Sequence, residues 1–317
     1  MKALVTGAAG FVGSHVAERL LAGGAEVLGI DAFTDYYPRA QKERHVAGLR
    51  ANRAFRLIES SLAEADLPRL LDGVTHVFHL AAQAGVRKSW GREFSVYTSN
   101  NVDATQILLE ACVGRTVERF VFASSSSVYG DSVALPMKED ATPQPISPYG
   151  VTKLAAEQLC LLYYTNYRLP TVALRYFTVY GPRQRPDMAF SRFLTASMQD
   201  EPLPLYGDGR QTRDFTFVDD AVSATLAAAT RGVPGAVYNI GGGSRVGILE
   251  VFELITRITG RPLRVERLDA QRGDMRDTYA DTRKACADLG FAPTVSLEQG
   301  LRAQHEWMTY LERRTTR

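Results

Sequence analysis

Thr6-Gly7-Ala8-Ala9-Gly10-Phe11-Val12-Gly13 spaces three glycines as G-x-x-G-x-x-G. The apolar run 3–5 precedes it, and residues 11–21 follow with helical apolar spacing that stops at Gly23-Gly24. A short apolar run, a glycine turn and an amphipathic helix predict a buried parallel strand feeding a helix. Glycine permits the tight turn, lets backbone N–H groups approach a pyrophosphate, and lets helix and strand pack closely. The helix N-terminus would then face anionic phosphates. A second strand, 26–30, ends at Asp31, about 20 residues on, as a dinucleotide fingerprint requires. A carboxylate there accepts ribose hydroxyls and repels a 2′-phosphate. Ala32-Phe33-Thr34 follow without an arginine, so NAD is expected rather than NADP.

Outward from this unit, segments 54–58, 75–80, 119–123 and 171–176 read as further buried strands, with helical stretches near 64–71 and 97–113. Strand alternating with helix predicts an α/β, doubly wound parallel-sheet Rossmann domain. After Tyr176 prolines and glycines cluster and strands become sparse. The chain is therefore divided into a cofactor domain, 1–176, and a smaller mixed α/β domain, 177–317, mainly for substrate. Residues 211–242 are expected to return to the first domain. A last helix is expected over 297–311.

The 317 residues are 45% hydrophobic and 23% charged with net charge +2, ordinary for a globular chain and too weakly charged for a nucleic-acid binder. Cys112, Cys160 and Cys286 have neither metal-ligand spacing nor a disulfide framework. No apolar run is long enough to span a bilayer, and the start is too short for a signal peptide. A cytoplasmic protein with no metal and no membrane or nucleic-acid partner is expected.

Ser147-Pro148-Tyr149-Gly150-Val151-Thr152-Lys153 is the second decisive stretch. Ser147 suits an N-cap and Pro148 the first helical position. Tyr149 and Lys153 then share one helix face. A phenol ionises near ~10, and a neighbouring ammonium with a positive nicotinamide ring would bring it toward neutrality. The fifth strand runs into Ser124-Ser125-Ser126-Ser127-Val128-Tyr129-Gly130. Hydroxyls at a strand's carboxyl end lie where ligands bind in such sheets, and one serine could bridge the tyrosine and a substrate oxygen.

G-x-x-G-x-x-G, S-S-S-S-V-Y-G and Y-x-x-x-K in this order resemble the extended short-chain dehydrogenases that modify nucleotide sugars. Ala82-Gln83-Ala84-Gly85-Val86-Arg87, Phe177-Thr178-Val179-Tyr180-Gly181-Pro182 and Arg185-Pro186-Asp187-Met188-Ala189 resemble UDP-glucuronate 4-epimerases more narrowly. The resemblance implies Tyr149 as base for the sugar 4-hydroxyl, Lys153 tuning it, and Ser125 hydrogen-bonded to the reacting oxygen. It implies NAD held by Gly7, Gly10, Phe11, Val12, Gly13, Asp31, Leu80, Ala81, Ala82, Tyr149, Lys153 and Tyr176. Ser126-Ser127 stand where 4,6-dehydratases carry an Asp-Glu pair and decarboxylases usually a glutamate, which disfavours elimination of water. Ser126, Ser127, Thr178 and Arg185 are expected to grip a uronate carboxylate out of line for loss of carbon dioxide.

Arg213 and Arg272 suit phosphate pairing. By resemblance Asp274 suits the uridine ribose, with Arg192 and Tyr206 nearer the base. Arg87, after the fourth strand, is expected near the cofactor, on substrate phosphate or carboxylate. Ser60-Ser61-Leu62 depart from the adenine-binding pattern of relatives, and no role is assigned to Ser61. Gln271 replaces a phosphate-binding arginine of glucose-type epimerases. The expected substrate is UDP-glucuronate, interconverted with UDP-galacturonate. UDP-glucuronate decarboxylation, epimerisation of a neutral UDP-hexose and, last, a dinucleotide-sensing regulator are the alternatives. A homodimer through helices 97–113 and the Tyr149 helix is implied by resemblance, with Leu154, Leu161 and Leu162 as permissive positions.

Overall fold

Strands covered by helices on both faces read as continuous apolar runs, as most of the seven in the main sheet do. The computed structural model describes residues 1–131, 133–269 and 271–315. Its main sheet contains β1 (Lys2–Thr6), β2 (Glu26–Asp31), β3 (Phe55–Glu59), β4 (His76–His79), β5 (Arg119–Ser125), β6 (Thr171–Tyr176) and β7 (Val237–Ile240). The order is β7-β6-β5-β4-β1-β2-β3, every pair parallel. The chain runs outward from β1 through β2 to β3, then crosses back to β4 on the other side of β1. That reversal opens a crevice above the carboxyl ends of β1 and β4, where such sheets bind ligands.

Alternate strand residues point to opposite faces. Ala3, Val5, Val27 and Leu174 join a core with Phe11, Val16 and Leu20 of the helix Phe11–Ala22 and Val218 and Val222 of the helix Val218–Arg231. Leu4, Leu28, Phe120 and Phe122 face the other way, onto Leu108 and Leu109 of the helix Ala104–Cys112 and Ala156 and Cys160 of the helix Pro148–Tyr167. The first core continues without a break into Phe190, Leu194, Phe252 and Leu301 of the carboxyl-terminal half.

That half is more helical than its prolines and glycines suggest, with Ala189–Gln199, Val218–Arg231, Ile248–Thr259 and Leu297–Thr315 among its longer helices. Three two-stranded pairs lie among them. Pro202–Tyr206 pairs with Arg264–Leu268, Thr212–Asp214 with Arg245–Gly247, and Val179–Tyr180 with Thr216–Phe217. No helix among the described residues is long and apolar enough to cross a membrane.

Three local readings change. Arg39–Arg50 is a helix with no apolar periodicity to announce it; its buried positions are Lys42, His45, Val46 and Leu49. The helix expected near 64–71 shrinks to Leu67–Leu70, capped by Asp66, whose Oδ1 accepts the Arg69 N–H at 3.2 Å. The stretch expected as one helix over 97–113 is Phe94–Tyr97, a π-helical Thr98–Asp103, then Ala104–Cys112. The wider turn carries Asn101 inward, where it accepts the Gln83 N–H (2.7 Å) and donates to the Gln83 carbonyl (3.0 Å) and Thr152 Oγ1 (2.9 Å).

Candidate active site

Thr6, the last residue of β1, fixes the crevice from below. Its Oγ1 accepts the N–H groups of Leu80 (3.1 Å) and Ala81 (3.0 Å) and lies 2.8 Å from His79 Nδ1. His79 Nε2 meets Thr105 Oγ1 at 2.9 Å, and that hydroxyl donates to the Asn101 carbonyl. One proton order satisfies every partner, with His79 neutral, donating from Nε2 and accepting at Nδ1. Complete burial agrees, pushing its pKa down to about 3.

Gly7 turns at φ +69°, and its carbonyl accepts the Gly10 N–H at 2.9 Å. A Cβ on Gly13 would strike that same carbonyl oxygen, and one on Gly7 would sit 2.9 Å from the Ala81 nitrogen. Backbone therefore fills the space in which other residues keep side chains. Gly10 caps the helix Phe11–Ala22 with no side-chain hydrogen bond, so the first-turn amides face the cleft as an anion site. Asp31 closes β2, its carboxylate accepting the N–H groups of Ala9 (3.0 Å) and Phe33 (2.8 Å).

The turn carrying Tyr149 forms as its sequence predicts. Ser147 Oγ accepts the Gly150 N–H at 3.1 Å, and Pro148 occupies the first turn. Lys153 is buried with its Nζ 4.4 Å from the centre of the Phe122 ring. Burial pulls its pKa down to about 8, against the opposing effects of Cys160 and Glu157. Tyr149 occupies the first turn of the same helix. Burial pushes its phenol above the ordinary value, with the Ser125 hydroxyl and the Arg185 charge pulling the other way. Among the protein's own groups, desolvation outweighs both the Ser125 hydroxyl and the Arg185 charge. Tyr97 braces the ring edge-on (centroids 6.2 Å apart, 77°), its own hydroxyl donating to the carbonyls of Ala84 and Gly85.

The four serines divide. Ser124, also in the cleft wall, commits its hydroxyl to Glu157 Oε2 at 2.6 Å. Ser125 Oγ accepts the Ser127 N–H at 3.1 Å and stays beside Tyr149. β5 runs two residues further than expected and carries both Ser124 and Ser125.

One cleft of about 400 Å³ gathers most of the residues singled out above. Gly7, Gly10, Phe11, Val12, Gly13 and Asp31 line it, with Leu80, Ala81 and Ala82 from the end of β4. Ser125, Ser126, Ser127, Tyr149, Lys153, Tyr176, Thr178 and Arg185 line it too. Arg87, Tyr206, Arg213 and Asp274 lie outside it and form a second cluster. Arg87 Nη2 lies 2.6 Å from Asp274 Oδ2, and its guanidinium stacks 4.1 Å from the Tyr206 ring centre. Arg213 donates to the carbonyls of Thr212 (2.9 Å) and Arg276 (2.8 Å). Burial lowers its pKa while Asp274 acts to raise it. Arg87 thus sits with the group expected for the nucleotide rather than beside the cofactor loop. Arg192, half-buried on the helix Ala189–Gln199, and Arg272, exposed, are not in the cleft.

Sequence reasoning missed several lining residues. Ser60, Ser61 and Leu62 are in the cleft wall, as are Tyr36, Tyr37 and Lys42. Lys42 Nζ reaches 4.0 Å from Asp31 Oδ1 and donates to the Thr34 carbonyl at 2.8 Å. The Tyr37 hydroxyl is buried with no hydrogen-bond partner, a polar atom shaped for a ligand. The only available signal was the Tyr36-Tyr37 pair closely following Asp31. Glycine loop, uncapped helix amides, Asp31 and this open phenol together fit the pyrophosphate and ribose of a dinucleotide.

The family model for the NAD dependent epimerase/dehydratase family matches residues 3–241. This chain belongs to that family. A UDP-glucose epimerase of Bacillus subtilis (strain 168), YtcB, itself uncharacterised, is 45% identical over 315 residues, covering 98% of this chain and 99% of the relative. The crystal structure of the UDP-glucuronic acid 4-epimerase from Bacillus cereus, in complex with UDP-glucuronic acid and NAD, is 44% identical with a TM-score of 0.96. It covers 98% of this chain and 100% of that one. MoeE5, solved with UDP-glucuronic acid and NAD and again with UDP-glucose and NAD, is also 44% identical, with a TM-score of 0.89 in both. Those matches cover 98% and 100% of this chain, and all of MoeE5. For an epimerase/dehydratase family member, Ser126-Ser127 in place of an acidic pair directs attention to epimerisation.

Proposed function

We propose that this protein is an NAD-dependent isomerase that interconverts UDP-glucuronate and UDP-galacturonate at C4 of the sugar. The observation that supports it most is a single cleft holding the glycine loop, Asp31, the Tyr149–Lys153–Ser125 group and Arg185 together. NAD, when bound, supplies a hydride acceptor and donor for C4 and a positive ring beside the phenol. Gly7, Gly10 and the first-turn amides of Phe11, Val12 and Gly13 hold its pyrophosphate; Asp31 and Lys42 hold its adenosine ribose. Leu80, Ala81, Ala82 and Tyr176 wall it in.

Tyr149 takes the proton of the sugar 4-hydroxyl and returns it after the ring has turned, while Ser125 hydrogen-bonds the same oxygen. Lys153 opposes the desolvation that disfavours the phenolate. Ser126, Ser127, Thr178 and Arg185 hold the C6 carboxylate, keeping its bond to C5 out of perpendicular alignment with the C4 carbonyl plane so that carbon dioxide is retained. Arg87, Tyr206, Arg213 and Asp274 anchor the nucleotide, leaving the sugar free to swing about its link to the diphosphate, with Arg192 and Arg272 at its edge. In this reading residues 1–176, joined by 211–242, serve mainly the cofactor and the remainder of 177–317 mainly the nucleotide sugar, with Arg87, Ser126, Ser127 and Arg213 reaching the substrate from the cofactor side.

A neutral UDP-hexose is the second reading, favoured by the name of the Bacillus subtilis relative and by the UDP-glucose bound to MoeE5. Incubating the purified protein with UDP-glucuronate, without added NAD, and identifying products by NMR separates the cases. UDP-galacturonate is the expected product. A UDP-pentose would make the protein a decarboxylase, and turnover of UDP-glucose alone would overturn the uronate assignment.

We further propose a cytoplasmic homodimer. Cys112, Cys160 and Cys286 are all free thiols, which fits a reducing compartment. Val151, Leu161, Leu162 and Tyr167 are exposed on the helix Pro148–Tyr167, whereas Leu154 packs inward near Val128 and Tyr129. Sedimentation at the mass of one chain would refute the dimer.

A further inference from the structure

Arg185 is not a free cation. It donates from Nε to Asp187 Oδ1 and from Nη2 to Asp187 Oδ2, each at 3.0 Å. This bidentate pair occupies one edge of the guanidinium. A guanidinium carries five N–H groups in a fixed plane, so Nη1 and the second Nη2 hydrogen remain on the opposite edge. Arg185 lines the cleft and its charge acts on the Tyr149 phenol; Asp187 does not line it.

Asp187 is itself held in place. Tyr36 donates its hydroxyl to Asp187 Oδ2 at 3.3 Å. The Tyr36 ring lies within reach of two cations, 5.0 Å from Lys88 Nζ and 5.7 Å from Arg185 Cζ. Its hydroxyl rests against Gly85, where φ is +104° and a Cβ would collide with it. Tyr36 from the loop after β2 and Arg185 from its own loop therefore meet on this one carboxylate, with Gly85 of the loop after β4 packed against the Tyr36 hydroxyl.

We infer that Asp187 is a specificity-determining residue that cancels much of the Arg185 charge while fixing its free edge toward the cleft. The site's preference for a C6 carboxylate over a C6 hydroxymethyl group is thereby held below what a lone arginine would give. A sugar carboxylate docking on the free edge makes two anions share one guanidinium, and each weakens the other. A hydroxymethyl group carries no charge and does not meet this repulsion. One cleft then admits both an acidic and a neutral UDP-sugar, with Asp187 setting the ratio.

The inference rests on the proposed uronate reading, and binding separates it from turnover. Dissociation constants and steady-state constants for UDP-glucuronate and UDP-glucose are measured on the NAD-loaded wild type, Asp187→Asn and Asp187→Glu. Asparagine keeps the shape and one acceptor, so the affinity ratio of UDP-glucuronate to UDP-glucose rises roughly three- to tenfold. The gain lies in Kd and KM for UDP-glucuronate. Asp187→Glu keeps the charge and stays near the wild-type ratio. An Asp187→Asn ratio that is unchanged or lower, or equal weakening of both ligands, overturns the inference. Wild type that binds UDP-glucuronate without epimerising it overturns the proposed reaction, while the binding ratio still decides the role of Asp187.

Discussion

Tyr149 illustrates how burial and charge compete at a single residue. Its phenol is held above the ordinary value by burial, with Ser125 and Arg185 opposing. Removal of the hydroxyl in Tyr149→Phe is expected to cut turnover by about 10³-fold, in the range of general acid–base catalysis, while bound NAD co-purifies unchanged. Single-turnover rates and the absorbance of released cofactor test this together. Asp214 makes a stability statement instead. It is fully buried, and desolvation raises its pKa to about 6 although the N–H groups of Gly242 (2.6 Å) and Ala280 (3.0 Å) donate to it. With the folded-state value raised, its stabilisation is full below the ordinary carboxyl value and is lost as pH rises through about 6. Asp214→Asn turns one amide hydrogen toward a donor, costing about 1–3 kcal/mol, and flattens stability between about pH 4 and 6. Urea titrations across that range would contradict this if wild type and variant kept parallel pH profiles.

At the scale of elements, the helix Pro148–Tyr167 was readable in advance because its start signal is local. Ser147, Pro148 and the spacing of Tyr149 to Lys153 involve only neighbours along the chain. Ser147→Ala removes one cap and is expected to lower stability by about 1 kcal/mol in chemical denaturation. The helix Arg39–Arg50 was not readable, because its inner face buries Lys42 and His45 among few apolar residues. His45 is kept there by a ring nitrogen 3.0 Å from the Ala9 carbonyl, a partner 36 residues away. The π-turn at Thr98–Asp103 escaped for the same reason. Its cause is Asn101 reaching Gln83 and Thr152, and neither lies next to it in sequence.

Over the whole molecule, a buried ion pair ties the two sides of the active site together. Arg175 of β6 donates to Glu157 from Nε (3.1 Å) and Nη2 (2.7 Å), Ser124 adds a third donor, and Arg175 Nη1 reaches the Glu139 carbonyl at 3.2 Å. Glu157 stands one turn beyond Lys153 on the same helix, and its charge acts to raise the lysine's pKa. Arg175→Met strands that carboxylate and is expected to cost about 3–5 kcal/mol. Adding Glu157→Leu is expected to recover much of the loss in the same denaturation experiment, because no buried charge is then left alone. A double variant no more stable than the single one would count against the pair as the cause.

Legible along the chain alone are the strand–glycine–helix unit, Asp31 at the next strand end, the capped helix of Tyr149 and Lys153, and the parallel α/β architecture. Each depends on spacing or on conformations that few residue types permit, and so is written along the chain. Packing of distant segments brings Arg87 to Asp274 and Tyr206, pairs Arg185 with an Asp187 that Tyr36 also holds, and sets Lys42 beside Asp31. Charge pairing and desolvation depend on which distant segments meet and how much water they exclude, and neither follows from the order of residues alone.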